Sequence, residues 1–309
     1  MSSASRSQPT TSPGLKVLRP ALHAVQAVSP RAAATLAERL FFTAPAGRVS
    51  QRGREFLAGG KRFTLNVGGR RLEGWSWGEG RPIYLVHGWG GCAGRLYSLA
   101  APLVATGRKV VMYDAPGHGE SSRGMSSMPE FARALRAVVA DQGQPEVVVA
   151  HSLGAAATAF AASLGPLARR YVFIAPPSNP ADWAVAFART LGLTPEVLRH
   201  LRSRSEHRLQ FSWDDLDVLP HARGMTAPLL VIHDHNDDTV PWRNGFDIAE
   251  SWPGARLVET SGLGHREILR DAAVIAEVLA FIDVEAPETV SVGSGNALLE
   301  YELFYRDER

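Results

Sequence analysis

The stretch Val147-Val148-Val149-Ala150-His151-Ser152-Leu153-Gly154-Ala155-Ala156 leaves the backbone few choices. Three β-branched residues in a row read as a buried strand, the Ala-rich run 155–162 reads as a helix, and only about four residues lie between them. The connection must therefore turn very sharply. A serine at the tip of such a turn has its hydroxyl pushed out beyond the sheet edge, and the helix that follows aims its free N–H groups at whatever binds there. The residues two before and two after it must be small, because the strand and helix backbones nearly touch. Ala150 and Gly154 meet that demand. The pattern is G-x-S-x-G with Ala in its first place. An ordinary strand-turn-helix connection in which Ser152 merely caps the helix is the competing reading of this stretch alone.

With 309 residues, 45% of them hydrophobic and 21% charged, the chain can bury a large core around that turn. No apolar run approaches the roughly 18 residues that would cross a bilayer. The stretch 15–28 is broken by Lys16, Arg19, Pro20 and His23, which is unlike a secretory signal, so the expected location is cytoplasmic. The single Cys92 excludes an intramolecular disulfide and a multi-cysteine metal cluster, and beside Gly90 and Gly91 it reads as a small packing residue. Charge is unevenly spread. Residues 1–71 hold twelve Lys and Arg against two Glu (net +10), which leaves −8 on the remainder, given the overall +2. Such a basic arm could touch an anionic membrane surface peripherally. Without an aromatic-basic stripe it points away from nucleic acid and reads instead as an arm packing on an acidic body.

Residues 1–14 are rich in Ser, Thr and Pro and are expected to be disordered. Ser29-Pro30 has the form of a helix start, with Ala33, Leu36, Leu40 and Phe41 as an apolar stripe that would dock on the body. From Lys61 the period changes to two, and Gly68-Gly69 turns a hairpin. Strand patterns follow at 82–87, 109–114, 147–151, 171–175, 228–233 and 255–260, with helical patterns between most of them. Ser127 with Glu130 forms a candidate capping box. The alternation predicts an α/β fold with a mostly parallel sheet covered by helices on both faces. Residues 178–225 break the rhythm. Asn179-Pro180 and Thr194-Pro195 announce successive helices with no strand between them, which reads as a small helical lid. The expected organisation is a basic arm and helix over 1–60, a core over 61–177 and 226–284 interrupted by the lid at 178–225, and a tail over 285–309.

A serine hydroxyl is a poor nucleophile at neutral pH unless a base activates it and an acid orients the base. In the order Ser, acid, His, the sequence offers Asp237 in a loop directly after one strand and His265 directly after the last.

These motifs resemble the α/β-hydrolase superfamily over about 65–284. Five patterns occur in the family's order: His87-Gly88-Trp89-Gly90, Asp114 to Ser121, His151-Ser152-Leu153-Gly154, the Asp237 loop, and Gly264-His265. The resemblance implies the α/β-hydrolase fold with the lid after the sixth family strand. It also implies Ser152 as nucleophile, His265 as general base and Asp237 as acid, three residues before Val240-Pro241. Asp234 and Asp238 remain rivals in the same loop. The family's oxyanion donors map onto the backbone N–H groups of Leu153 and Trp89. His87 would brace its loop rather than react, and His151, adjacent to the nucleophile at a sharp elbow, would point elsewhere.

The resemblance implies a carboxylic ester hydrolase acting through an acyl-enzyme on a small-molecule ester, with no metal or organic cofactor. Thioester hydrolysis, carbon-carbon bond hydrolysis and cofactor-free perhydrolysis would use the same triad, and a non-catalytic binding protein could share the scaffold. Dehalogenase and epoxide-hydrolase relatives need a carboxylate where this chain has Ser152. In the lid, Trp183 and Phe187 lie four apart on one helical face and are expected to line the substrate pocket.

Overall fold

The computed structural model describes residues 13–283, with side chains from residue 18 onward. The expectations for residues 1–12 and for the tail lie outside the described residues.

Three helices open the described chain: α1 (Pro13–Val28), α2 (Pro30–Phe42) and α3 (Gln51–Ala58). The hairpin β1 (Lys61–Val67) and β2 (Arg70–Trp77) comes next. Then strands and helices alternate through β3 (Glu79–Val86), α4 (Tyr97–Ala105), β4 (Arg108–Tyr113), α5 (Met128–Gln142), β5 (Val147–His151), α6 (Leu153–Ser163) and β6 (Arg170–Ile174). A purely helical insert holds α7 (Ala181–Leu191), α8 (Pro195–Leu209) and α9 (Val218–Ala222). The alternation resumes with β7 (Leu229–Asp234), α10 (Arg243–Ser251), β8 (Arg256–Thr260), the short α11 (Gly264–Glu267) and α12 (Ala272–Asp283).

All eight strands form one sheet in the order β1-β2-β4-β3-β5-β6-β7-β8. β2 runs antiparallel to both β1 and β4, and every other pairing is parallel. Because side chains alternate across a strand, each central strand feeds two cores. Tyr84, Val86, Val148 and Ala150 pack on one face with α5, α6, α9 and α10. Ile83, Leu85, Val147 and Val149 pack on the other with α4 and α12. All five residues of β5 are buried, which explains why its sequence is continuously apolar rather than alternating. Truncating a fully enclosed aromatic such as Phe131 to Ala would cost about 3–5 kcal/mol.

Local signals set the helix starts. Ser29 caps α2, its side chain accepting from the Ala32 N–H, with Pro30 in the first turn. Ser127 caps α5, accepting from the Glu130 N–H at 3.4 Å while donating to the Glu130 carboxylate at 2.7 Å. Two helices lack a clear period in the sequence, although Ser50 caps α3 by accepting from the Gly53 N–H at 3.1 Å. α1 contains Pro20, which in sequence reads as a break, and the eight residues of α3 are too few to show a period.

The N-terminal segment docks on the rest of the chain, with the helical insert among its partners. Ala33 and Ala34 of α2 form a third small core with Ala184 of α7, Val197 and Leu201 of α8, and Trp213. Within this interface the buried Glu38 carboxylate receives Arg204 at 3.1 Å and Arg208 at 2.9 Å. The segment therefore packs on the insert as much as on the sheet domain. Among the described residues, no helix is long and apolar enough to cross a membrane.

Candidate active site

β5 ends at the centre of the sheet and α6 begins one residue later, with Ser152 alone between them. Ser152 pays for the turn in backbone strain, with φ 54° and ψ −128°, a region that non-glycine residues rarely occupy. Its N–H is held by the Ile174 carbonyl at 2.9 Å. The close approach expected of the flanking residues is present. A Cβ on Gly154 would come within 2.5 Å of the His87 carbonyl oxygen, and one on Gly88 within 2.7 Å of the Ser152 Cβ. These glycines let the 87–91 loop lie directly against the serine.

His265 sits at the start of α11, with its Nε2 3.0 Å from Ser152 Oγ and its Nδ1 2.7 Å from Asp237 Oδ2. An ionised carboxylate can only accept, so Nδ1 carries the proton and Nε2 is free to accept the serine's. Asp237 is fixed from its other side, where Oδ1 accepts from the Thr239 and Val240 N–H groups at 2.8 Å each. Burial acts to raise the Asp237 pKa. Hydrogen bonds from His233, His265 and the Val240 N–H outweigh it and hold the carboxyl well below the usual carboxylate range.

The two rival carboxylates are placed differently. Asp234 accepts from Asn236 N–H at 2.8 Å, Thr260 Oγ1 at 2.7 Å and Leu263 N–H at 3.0 Å, so it ties the ends of β7 and β8 together. Asp238 is exposed, and among the described residues its side chain accepts a hydrogen bond only from the neighbouring Thr239 hydroxyl.

Three further histidines surround the serine, each with its protons committed. His87 donates from Nδ1 to the Gly88 carbonyl at 2.8 Å and accepts the Ala115 N–H at Nε2 at 3.0 Å. His118 donates from Nδ1 to the Pro116 carbonyl at 2.9 Å and accepts the Gly90 N–H at 3.1 Å. His151 donates from Nε2 to the backbone carbonyl of His265 at 3.0 Å. Desolvation lowers their pKa values to about 3, about 4 and about 3 respectively, so all three stay neutral. His87 and His118 thus brace the 87–91 loop, and His151 holds the backbone of the histidine that meets Ser152. Cys92 is buried, and desolvation pushes its thiol up to about 11, which agrees with a packing residue rather than a nucleophile.

Ser152 and His265 open into a cavity of about 570 Å³, within the usual range for a small-molecule site. Trp89 and Leu153 line it beside the serine. Leu153 is the first residue of α6, so its N–H belongs to the first turn, which has no acceptor within the helix. Trp183 of α7 lines the cavity as expected, but Phe187 does not. α2 intervenes: Phe187 packs on Phe41, ring centroids 5.2 Å apart, and it is Phe41 that faces the cavity. Phe42, Pro45 and Arg48 of the N-terminal segment complete that wall, anchored where the Ser126 N–H donates to the Phe42 carbonyl at 2.7 Å. Of these wall residues only Phe41 belongs to the apolar stripe read from the sequence, and that stripe does not tell that it faces the cavity.

A family model for the alpha/beta hydrolase fold matches residues 81–210. The dihydrolipoyllysine-residue acetyltransferase component of the acetoin cleaving system of Pseudomonas putida is 31% identical over 123 residues, which cover 38% of this chain and only a third (33%) of that relative. A non-heme haloperoxidase of Rhodococcus erythropolis is 26% identical over 272 residues, covering 67% of this chain and 94% of the relative. The crystal structure of an esterase from a Rhodococcus species superposes with a TM-score of 0.55 at 18% identity, covering 72% of this chain and 98% of that one, a likeness of fold. With the mostly parallel eight-stranded sheet and its sharp strand-to-helix turn, these matches show that the chain has the α/β-hydrolase fold.

Proposed function

We propose that the protein is a serine hydrolase that cleaves carboxylic esters through an acyl-enzyme intermediate. The observation that carries this reading is the unbroken hydrogen-bonded series Asp237, His265, Ser152 at the floor of a largely apolar cavity. His265 Nε2 takes the Ser152 proton as Oγ attacks the ester carbonyl, and Asp237 stabilises the imidazolium that forms. The backbone N–H groups of Leu153 and Trp89 receive the developing oxyanion, the first from the helix start and the second from the loop braced by His87 and His118. His265 then passes its proton to the departing alkoxide. A water molecule gives a proton to the same nitrogen and attacks the acyl-enzyme, releasing the acid and restoring Ser152.

Fluorophosphonate labelling together with hydrolysis of short p-nitrophenyl esters tests the reading. Ser152→Ala should abolish labelling, and Ser152→Ala and His265→Ala should each lower turnover by about 10⁴-fold or more, with the double variant little worse than either. Asp237→Asn should cost about 10³- to 10⁴-fold and Asp238→Asn almost nothing. An intact protein that neither labels nor hydrolyses would be a binding module on a hydrolase scaffold.

The haloperoxidase relative favours one second reading, perhydrolysis. Hydrogen peroxide in place of water would lose its proton to His265, attack the acyl-enzyme and leave as a peracid. Peracid formation from a short acyl ester in the presence of peroxide, lost in Ser152→Ala, would support it.

A further inference from the structure

The cavity is apolar along the insert, but its lining also carries charge. Its charged lining residues other than histidine are Arg48, Arg95, Arg266, Glu267 and Arg270, four cations against one anion. They come from three separate segments: the N-terminal segment, the residue 93–96 turn before α4, and the stretch that follows His265. Arg270 is paired with the one acid, Glu267, at 3.2 Å. Arg95 spends its guanidinium on backbone carbonyls, Arg48 at 3.1 Å and Gly90 at 3.2 Å, and so fastens the N-terminal segment to the 87–91 loop. Arg48 and Arg266 have no carboxylate partner among the described residues, and both are exposed at the mouth. Arg266 follows His265 directly in sequence, so this charge stands one residue from the proposed base.

Arg48 and Arg266 thus bring two positive charges without a carboxylate partner among the described residues to the lining of an otherwise largely apolar cavity. From this placement we infer that the substrate is an ester carrying a carboxylate or phosphate group away from its reacting carbonyl, bound with its apolar carbons against Trp183 and Phe41 and its anionic end among Arg48, Arg266 and Arg95. The inference rests on the ester-hydrolase reading and narrows its substrate class. A guanidinium fork suits a planar carboxylate or a phosphate equally.

The test compares monomethyl adipate with dimethyl adipate, the same chain with its charge masked, by acid release at constant pH. The ratio of kcat/KM, charged over neutral, should exceed one in the native protein. It should fall when salt rises from about 0.01 M to about 1 M, since screening shortens from about 30 Å to about 3 Å. In the double variant R48Q/R266Q the ratio should drop by about 5- to 10-fold, the scale of two partly solvated ion pairs. The ratio is internally controlled, because a general loss of fold or of catalytic power lowers both substrates alike. A ratio at or below one, or one unchanged in the double variant, overturns the inference. Tryptophan fluorescence, to which the cavity residues Trp89, Trp183 and Trp213 contribute, supplies an arm independent of turnover. Adipate itself should quench it with a Kd about 5- to 10-fold weaker in the double variant, and equal affinity overturns the anion site. If neither ester is hydrolysed yet adipate binding depends on the two arginines, the ester-hydrolase reading fails and the anion site stands.

Discussion

His233 stands behind Asp237, its Nε2 3.4 Å from the same carboxylate oxygen that meets His265 at 2.7 Å. The same nitrogen donates to the Val240 carbonyl at 3.0 Å, so the proton on Nε2 is fixed, and Nδ1 is buried without a partner against Gly245. An orphaned buried nitrogen costs free energy, on the order of 1–3 kcal/mol, and the donor on the other side of the ring offsets it only by serving Asp237 and its loop. In the proposed mechanism His233 is therefore a positioning residue for Asp237.

The expected outcome follows from that geometry. His233→Leu should lower kcat by about 10-fold with little change in KM, since the substrate does not touch this ring. His233→Gln, whose amide nitrogen can occupy the Nε2 position, should recover most of the loss. A second readout is stability at low pH. Asp237 has a depressed folded-state pKa, so its stabilising contribution is present above the unfolded value of about 3.9 and is lost as pH falls through the folded one. His233→Leu should shrink that contribution. Equal loss in both variants would make His233 a packing residue only.

The elbow was legible because its constraint is local and steric: Ala150 and Gly154 are small where two backbones touch, and no distant residue alters that requirement. The same holds for the caps Ser29 and Ser127. Phe187 was misread because helical spacing tells which residues share a face but not which neighbour covers it. Trp183 meets the cavity, whereas one turn later α2 lies in the way and Phe187 meets Phe41. Nothing local marks Phe41, Phe42 or Arg48 as cavity residues. Their place depends on docking across the whole width of the fold, which periodicity does not encode. His233 was hidden for a related reason, since a histidine inside a strand carries no sign of which loop it supports.

That difference yields a prediction about the cavity wall. Phe41→Ala should change the ratio of kcat/KM for long against short acyl esters, by about 1–3 kcal/mol at most, because it removes a surface the acyl chain would touch. Trp183→Ala should do the same. Phe187→Ala should lower the melting temperature and leave the chain-length ratio close to native. A chain-length shift in Phe187→Ala without one in Phe41→Ala would reverse the assignment.

Glu38 makes the union of α2 and α8 dependent on charge. Its side chain is only 5% exposed and takes both Arg204 and Arg208, with Arg208 also stacked 4.6 Å over the Phe42 ring. Removing one partner of a buried ion pair leaves the other charge unpaired, which costs about 3–5 kcal/mol when both are enclosed and less here because the arginines reach solvent. Glu38→Ala should therefore loosen the N-terminal helices from the insert before the sheet domain unfolds. Limited proteolysis is the direct measurement: cleavage between α2 and β1 should accelerate while core fragments persist. An unchanged cleavage pattern would mean that the apolar contacts of Ala33 and Ala34 suffice.

Asp114 gives the molecule a pH dependence of opposite sign to that of Asp237. Its carboxylate accepts the Ala93 and Glu120 N–H groups at 2.7 Å each, joining the start of the 93–96 turn to the loop that carries His118. Burial dominates those two bonds and raises its pKa to about 6. A folded-state pKa above the unfolded value of about 3.9 means that the folded protein binds this proton more tightly, so stability falls as pH rises between about 4 and about 6. Two units correspond to at most about 3 kcal/mol. Asp114→Asn cannot titrate and should lack this slope, although it loses one acceptor and is less stable than the native protein at low pH. Denaturant unfolding of both proteins from about pH 4 to about pH 7 isolates the effect in the difference between the curves. A difference that stays constant with pH would mean that the carboxyl titrates alike in the folded and unfolded chains, and that the two N–H groups compensate its burial in full.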